Sequence, residues 1–219
     1  MKHFLTTLLI LLWMNYVFSQ SKQISKILED VRGIHIFEFQ IHKDLKPYIF
    51  KLYGNKKSNH IEKIEIIIKG EASPFQSIYT ISQSPYKDAK YFEAVDMNFD
   101  GYKDIKLLDW WGATGNKGYR CWLYSPEKKR FYINTDLWKL CSPQFDYKKK
   151  KIYEYSNGGH TGMIYSASTW TLIGGKLICV GSESQEYVKE KNHYLRKRFK
   201  LINGKMVEVE QKIIKEKTY

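Results

Sequence analysis

The chain lacks most of the signatures that announce an enzyme or a zinc fold. No Gly-x-Ser-x-Gly elbow, phosphate loop or His-Glu-x-x-His pattern occurs in its 219 residues. Cysteine is scarce: Cys121, Cys141 and Cys179 are the only three, and their spacing matches no zinc pattern. In an oxidising compartment one pair can form a disulfide, and the sequence does not choose among the pairings. All three also suit buried, small apolar positions. Acidic side chains are few, with 23 Asp and Glu against 36 Lys and Arg, a formal net charge of +13. That balance favours anionic partners or surfaces. Most of it reads equally as lysines spread for solubility.

Apolar runs are also few. Phe4 to Met14 is the longest, and it is short for a membrane span. With Lys2 before it and Val17-Phe18-Ser19 after it, residues 1–19 read as a secretory signal peptide cleaved before Gln20. The alternative is an uncleaved anchor. No Cys follows the run, which argues against a lipoprotein. No stable membrane span is expected after cleavage, and the localisation is periplasmic or secreted. A secreted chain argues against a nucleic-acid partner.

Against this basic background, Asp96-Met97-Asn98-Phe99-Asp100-Gly101-Tyr102-Lys103-Asp104 stands out. It sets oxygen donors at loop positions 1, 3, 5 and 9, with Gly at 6, as a calcium loop does. Asp96, Asn98, Asp100 and Asp104 offer side-chain oxygens and Tyr102 its carbonyl; Gly101 permits the sharp turn. Position 12 is Leu107 rather than Glu, so this is not a full EF-hand. The reading without metal is a polar Asx-turn.

Residues 20–32 read as a lead-in segment and 33–219 as a single all-β domain. Strand patterns run over Ile34 to Ile41, Tyr48 to Tyr53, Ile61 to Lys69, Ser77 to Ser82 and Ile105 to Trp110. They continue over Tyr119 to Tyr124, Phe131 to Ile133, Lys151 to Tyr155, Ile164 to Leu172, Lys176 to Val180, Tyr194 to Ile202 and Met206 to Ile214. The first slips its alternation between Ile36 and Phe37, predicting a bulge or a strand covered on both faces. Gly174-Gly175 and Asn203-Gly204 are hairpin turns. Residues 134–141 have room for one helical turn. The expected fold is an antiparallel meander of short hairpins, partly propeller-like or sandwich-like, with one calcium loop.

The Asp96–Asp104 stretch resembles the D-x-N-x-D-G-x-x-D loop of integrin-type and FG-GAP repeats. After it come a Gly/Asn-rich turn from Gly112 to Gly118 and an aromatic strand from Tyr119 to Tyr124. Leu137, Leu140, Pro143 and Asp146 follow, then a Ser/Gly-rich loop and the strand Tyr165 to Trp170. Over about residues 60–181 this layout resembles a family of secreted or periplasmic bacterial β-proteins with a single calcium loop. They are similar to invertebrate-type lysozyme inhibitors, some of which are immunity proteins against peptidoglycan hydrolases. The resemblance implies bound Ca²⁺ and a protein target that is a peptidoglycan hydrolase. It also implies a plug that enters the hydrolase cleft, here Ser156, Gly158, Gly159, His160, Thr161 and Tyr165. Glycines allow close backbone approach, and Ser156, His160 and Thr161 can hydrogen-bond the two carboxylates of a glycosidase.

The charge favours a near-neutral or acidic target, since a cationic lysozyme would be repelled. Arg196, Arg198 and Lys200 form a basic stripe suited to an anionic envelope polymer or to solvent. The chain is read as no enzyme: His160, and Asp109 beside Trp110-Trp111, are isolated candidates. Cys121 or Cys141 with His160 lacks a local signature for a thiol–imidazole pair. The alternative function is a calcium-stabilised glycan- or envelope-binding module stacking sugars on Trp110, Trp111, Tyr119 and Trp122.

Overall fold

The computed structural model describes residues 32–55, 60–82, 91–173 and 175–215. The predicted signal peptide and nearly all of the predicted lead-in segment lie outside them, as does Gly174. No helix among the described residues is long and apolar enough to cross a membrane.

Among the described residues, fourteen strands form three antiparallel sheets, each with its strands in chain order. The first holds β1 (Arg32–Phe39), β2 (Tyr48–Asn55), β3 (His60–Ile68) and β4 (Gln76–Tyr79). The second holds β5 (Phe92–Val95), β6 (Asp104–Trp111), β7 (Lys117–Ser125) and β8 (Arg130–Ile133). The third holds β9 (Gln144–Asp146), β10 (Lys151–Gly159), β11 (Ile164–Ile173), β12 (Lys176–Val188), β13 (His193–Ile202) and β14 (Lys205–Lys215). One helical turn, α1 (Thr135–Trp138), is capped by the Asn134 side chain, which accepts from the Leu137 amide. The fold is all-β, as the sequence predicts, and its sheets are open meanders.

The second sheet is the middle layer. One core joins Phe50, Leu52, Ile64 and Ile66 of the first sheet to Ile105, Leu107, Trp122 and Tyr124 of the second. Another joins Leu108, Tyr119 and Cys121 of the second to Ile152 and Trp170 of the third. Residues 104 to 109 of β6 are therefore all buried, and alternate residues of β7 serve opposite cores. Burial on both faces is what a strand with little alternation requires.

The predicted irregularity in β1 is absent. Its register with β2 is unbroken from Arg32–Asn55 to Phe39–Tyr48. Phe37 and Phe39 pack on the core while Ile36 is 64% exposed, so only one face is covered. The slip in alternation is an exposed isoleucine, which a half-buried strand tolerates.

A register shift between Leu108 and Trp110 turns Trp110 over β7. A Cβ at Gly118 would fall 2.0 Å from Trp110 Nε1, so only glycine fits beneath the ring. Gly118→Ala is expected to cost about 2 kcal/mol, the usual scale of overpacking. Denaturant unfolding checks this: a midpoint equal to that of the parent would remove the close packing as a constraint.

Candidate functional site

The loop from Asp96 to Asp104 joins β5 to β6. Phe99 (φ 64) and Gly101 (φ 91) adopt the left-handed conformations that fold it back. Asp96 Oδ1 accepts from the Asp100 amide at 3.2 Å and its Oδ2 from the Gly101 amide at 3.0 Å. Asn98 Oδ1 also accepts from the Asp100 amide at 3.2 Å. Asp100 Oδ1 accepts from the Tyr102 amide at 2.8 Å, and Asn98 Nδ2 donates to Asp100 Oδ2 at 2.8 Å. These are interlocked Asx-turns.

Asp104 differs from its neighbours, being fully buried. Its Oδ2 accepts from the Met97 amide at 2.7 Å and its Oδ1 from the Tyr124 amide at 2.8 Å. Burial pushes its carboxyl up to about 7, against the two amides; Asp100 and Asp96 push it further in the same direction. The Tyr102 ring stacks on His42 at 4.3 Å and on Tyr124 at 5.6 Å. The Lys103 amide donates to the Ile41 carbonyl at 2.8 Å. The loop is thus tied to both the first and the second sheet.

Donors composed of carboxylate and amide oxygens suit a hard cation such as Ca²⁺. The arrangement itself is hydrogen-bonded: among the described residues no group of three or more His, Cys, Asp or Glu is disposed to hold a metal ion. Both Asp104 oxygens accept from amides, and Asn98 Nδ2 donates to Asp100 within the loop.

The second predicted site divides in two. Ser156 and Tyr165 lie within the β10–β11 ladder, opposite Ser166 and Asn157 respectively. The projecting tip is Gly158 to Met163. Gly159 (φ 105), His160 (φ 48), Thr161 (φ 52) and Gly162 (φ 85) follow one another with positive φ. His160 and Thr161 are exposed. The His160 Nδ1 lies 3.2 Å from the Tyr194 hydroxyl, and the Tyr187 ring stands 5.3 Å from its own. The Tyr165 hydroxyl donates to the Glu183 carboxylate and is not presented at the tip. That bond, with Arg198 adding to it, holds Glu183 below its ordinary carboxylate range despite partial burial.

Asn116, in the turn between β6 and β7, clamps the base of this hairpin. Its Oδ1 accepts from the Asn157 amide at 2.8 Å, and its Nδ2 donates to the Asn157 carbonyl at 3.0 Å. Asn157 Nδ2 donates in return to the Thr114 carbonyl at 3.3 Å. The Gly/Asn-rich pattern marks a turn here, but nothing in the sequence marks the clamp.

Other candidate residues have structural positions. Tyr119 and Trp122 are 7% and 3% exposed and belong to the two cores, so they are not stacking platforms. Trp110 and Trp111 are partly exposed, with Lys117 over the Trp111 ring. Asp109 is buried between Arg120 Nε at 3.0 Å and Trp138 Nε1 at 3.1 Å. All three cysteines are free, and burial pushes the Cys121 thiol up to about 12, where it is inert. The β13 register sets Arg196, Arg198 and Lys200 on one face, but Arg196 and Arg198 are paired with Glu210, and Arg198 also with Glu183.

No protein-family model matches this chain, and no curated protein matches its sequence. Among solved structures, one described as that of a Xanthomonas type IV secretion system related protein shares the fold. The TM-score is 0.52 at 15% identity, over 81% of this chain and 99% of that chain.

Asp104→Ala removes the acceptor for two buried amides. The expected loss is about 3 kcal/mol of unfolding free energy, since stranding a buried donor costs about 1–3 kcal/mol. A loss below about 1 kcal/mol in denaturant titration would contradict the tethering role.

Proposed function

We propose that this chain is a secreted or periplasmic inhibitor or immunity protein that blocks a peptidoglycan hydrolase with the β10–β11 tip. The observation that carries the reading is the tip itself: four successive residues of positive φ, clamped at the base by Asn116 and braced by Tyr194. A projecting loop held in one conformation loses little entropy on entering a cleft. His160 and Thr161 are the residues that meet the target, with Gly158 and Gly159 allowing backbone approach. Ser156 and Tyr165 act at the base, holding the tip rather than touching the cleft floor. The resemblance to invertebrate-type lysozyme inhibitors supports this assignment. So does the shared fold with a protein related to a type IV secretion system, which favours a role at the bacterial envelope.

The glycan-binding alternative that uses Tyr119 and Trp122 is weakened by their burial. The net charge of +13, which becomes +12 when cleavage before Gln20 removes Lys2, favours an acidic or near-neutral hydrolase. Its attraction weakens as salt rises.

In this reading Asp96, Asn98, Asp100 and the Tyr102 carbonyl take up one Ca²⁺, with Asp104 as the buried support or a further ligand. The ion offsets the charge of close carboxylates and stiffens the link between β5 and β6.

The hydrolase reading is tested by inhibition assays over a panel of peptidoglycan hydrolases. Thr161→Trp, which adds bulk at an exposed tip residue, is expected to weaken inhibition of the cognate enzyme at least about tenfold. Undiminished inhibition by this variant would remove the tip as the plug. Calcium is tested separately by thermal unfolding. Saturating Ca²⁺ at about a hundred times Kd is expected to add about 2.7 kcal/mol, reversed by chelator and absent in Asp96→Ala. An unchanged melting temperature would leave the loop as a metal-free Asx-turn.

A further inference from the structure

The outer face of the third sheet carries a groove of about 630 Å³ that the tip does not use. Ile152 and Trp170 face the middle sheet, so residues of opposite parity on the same strands face away from it. The register aligns Tyr153, Thr169, Gly181 and Lys200 in one row, and Tyr155, Ala167, Glu183 and Arg198 in the next. The floor is small: Ala167, Thr169 and Gly181. One wall is aromatic, with Tyr155 42% exposed and stacked on Tyr165 at 5.9 Å. Tyr153 stands two residues away on the same side, about 7 Å along the strand.

The opposite wall is charged. Glu183 Oε2 accepts from Arg198 Nε at 2.9 Å and from its Nη2 at 2.7 Å, which pins the pair at the groove's edge. Across β12 to β14 this face presents the cations Lys176, Arg196, Arg198, Lys200, Lys205 and Lys212 against the carboxylates Glu183 and Glu210. Both arginines are paired with those carboxylates; Lys200 has no carboxylate partner among the described residues.

We infer that this groove binds a carboxylate-bearing saccharide, with the sugar ring on Tyr153 and Tyr155 and its carboxylate on Lys200. A tyrosine pair spaced along one strand offers a flat, amphipathic surface for a ring. The fixed Glu183–Arg198 pair offers an acceptor and donors to adjacent hydroxyls. An uncompensated lysine on a surface of net positive charge selects the anionic ligand over its neutral analogue. The volume falls within the range of small-ligand sites. This site shares Tyr165 and Glu183 with the base of the β10–β11 hairpin but uses none of the exposed tip residues His160 and Thr161.

The test uses three probes: a muramic-acid-containing disaccharide, digalacturonic acid and neutral diacetylchitobiose. Each is titrated against the full chain by calorimetry and by NMR. The expected result is binding of one or both acidic sugars at least about tenfold tighter than the neutral one. Which acidic sugar binds better separates a peptidoglycan ligand from a uronic-acid polymer. Lys200→Gln is expected to abolish that preference. Gly181 does not have a positive φ, and its Cβ would meet only the Phe199 carbonyl oxygen, at 3.5 Å. Gly181→Phe therefore fills the floor without backbone strain, and it is expected to lose sugar binding at an unchanged melting temperature. Thr161→Trp is expected to keep sugar binding, so failure of the tip and failure of the groove are told apart. The inference is overturned if no probe binds at millimolar concentration, if acidic and neutral sugars bind equally, or if Gly181→Phe binds like the parent. It is also overturned if Gly181→Phe loses only hydrolase binding, which would make the groove a protein contact.

Discussion

A single buried carboxylate ties the loop that opens the central strand to the strand beside it. Asp104 begins the central strand β6, and its two oxygens tie the Met97 amide of the preceding loop to the Tyr124 amide of β7. A carboxylate buried in an apolar setting is costly unless hydrogen-bonded, so this position has one workable arrangement. Tyr102 then stacks between His42 and Tyr124, and the Lys103 amide reaches Ile41, so the same loop fixes the first sheet against the second. On the other face of the middle sheet, Cys121 and Tyr119 pack under Ile152 and Trp170. The loop that resembles a calcium site is therefore first a structural joint, and a cation there would reinforce a link that the amides already make.

The β10–β11 tip inherits its rigidity from that framework. Asn116 sits on the turn that follows β6 and reaches the base of the β10–β11 hairpin. Tyr187 and Tyr194, on β12 and β13, brace His160 from the other side. The tip is thus supported by both the second and third sheets. Its exposed residues gain order without losing access, which is the combination a cleft-blocking loop needs. The groove on the outer face uses the remaining side of the same third sheet.

The sequence made the strands legible wherever a strand meets a core. Ile64 and Ile66 alternate because β3 has one apolar partner, and Asn203-Gly204 closes its hairpin with φ of 50 and 76. It was silent where pattern and length failed. β5 and β9 have four and three residues, too few for a period. β12 continues to Val188, beyond the apolar run that ends at Val180. Its far half carries Ser182, Glu183, Ser184 and Gln185, outside the apolar contact with the middle sheet, and alternation has nothing to record. At the site, the loop residues were readable from spacing, but the two amide bonds of Asp104 and the reach of Asn116 are tertiary facts. Trp122 and Tyr119 misled for the opposite reason: aromatic residues in a strand suit a sugar platform and a core equally, and only burial distinguishes them.

The most direct test of the central claim is hydrogen–deuterium exchange on the chain with and without each member of a panel of peptidoglycan hydrolases. The account predicts new protection concentrated in the segment from Gly158 to Ile164, with the turn around Trp110 and Trp111 unchanged. Protection confined to Trp110 and Trp111, with the tip exchanging as in the free chain, would contradict it.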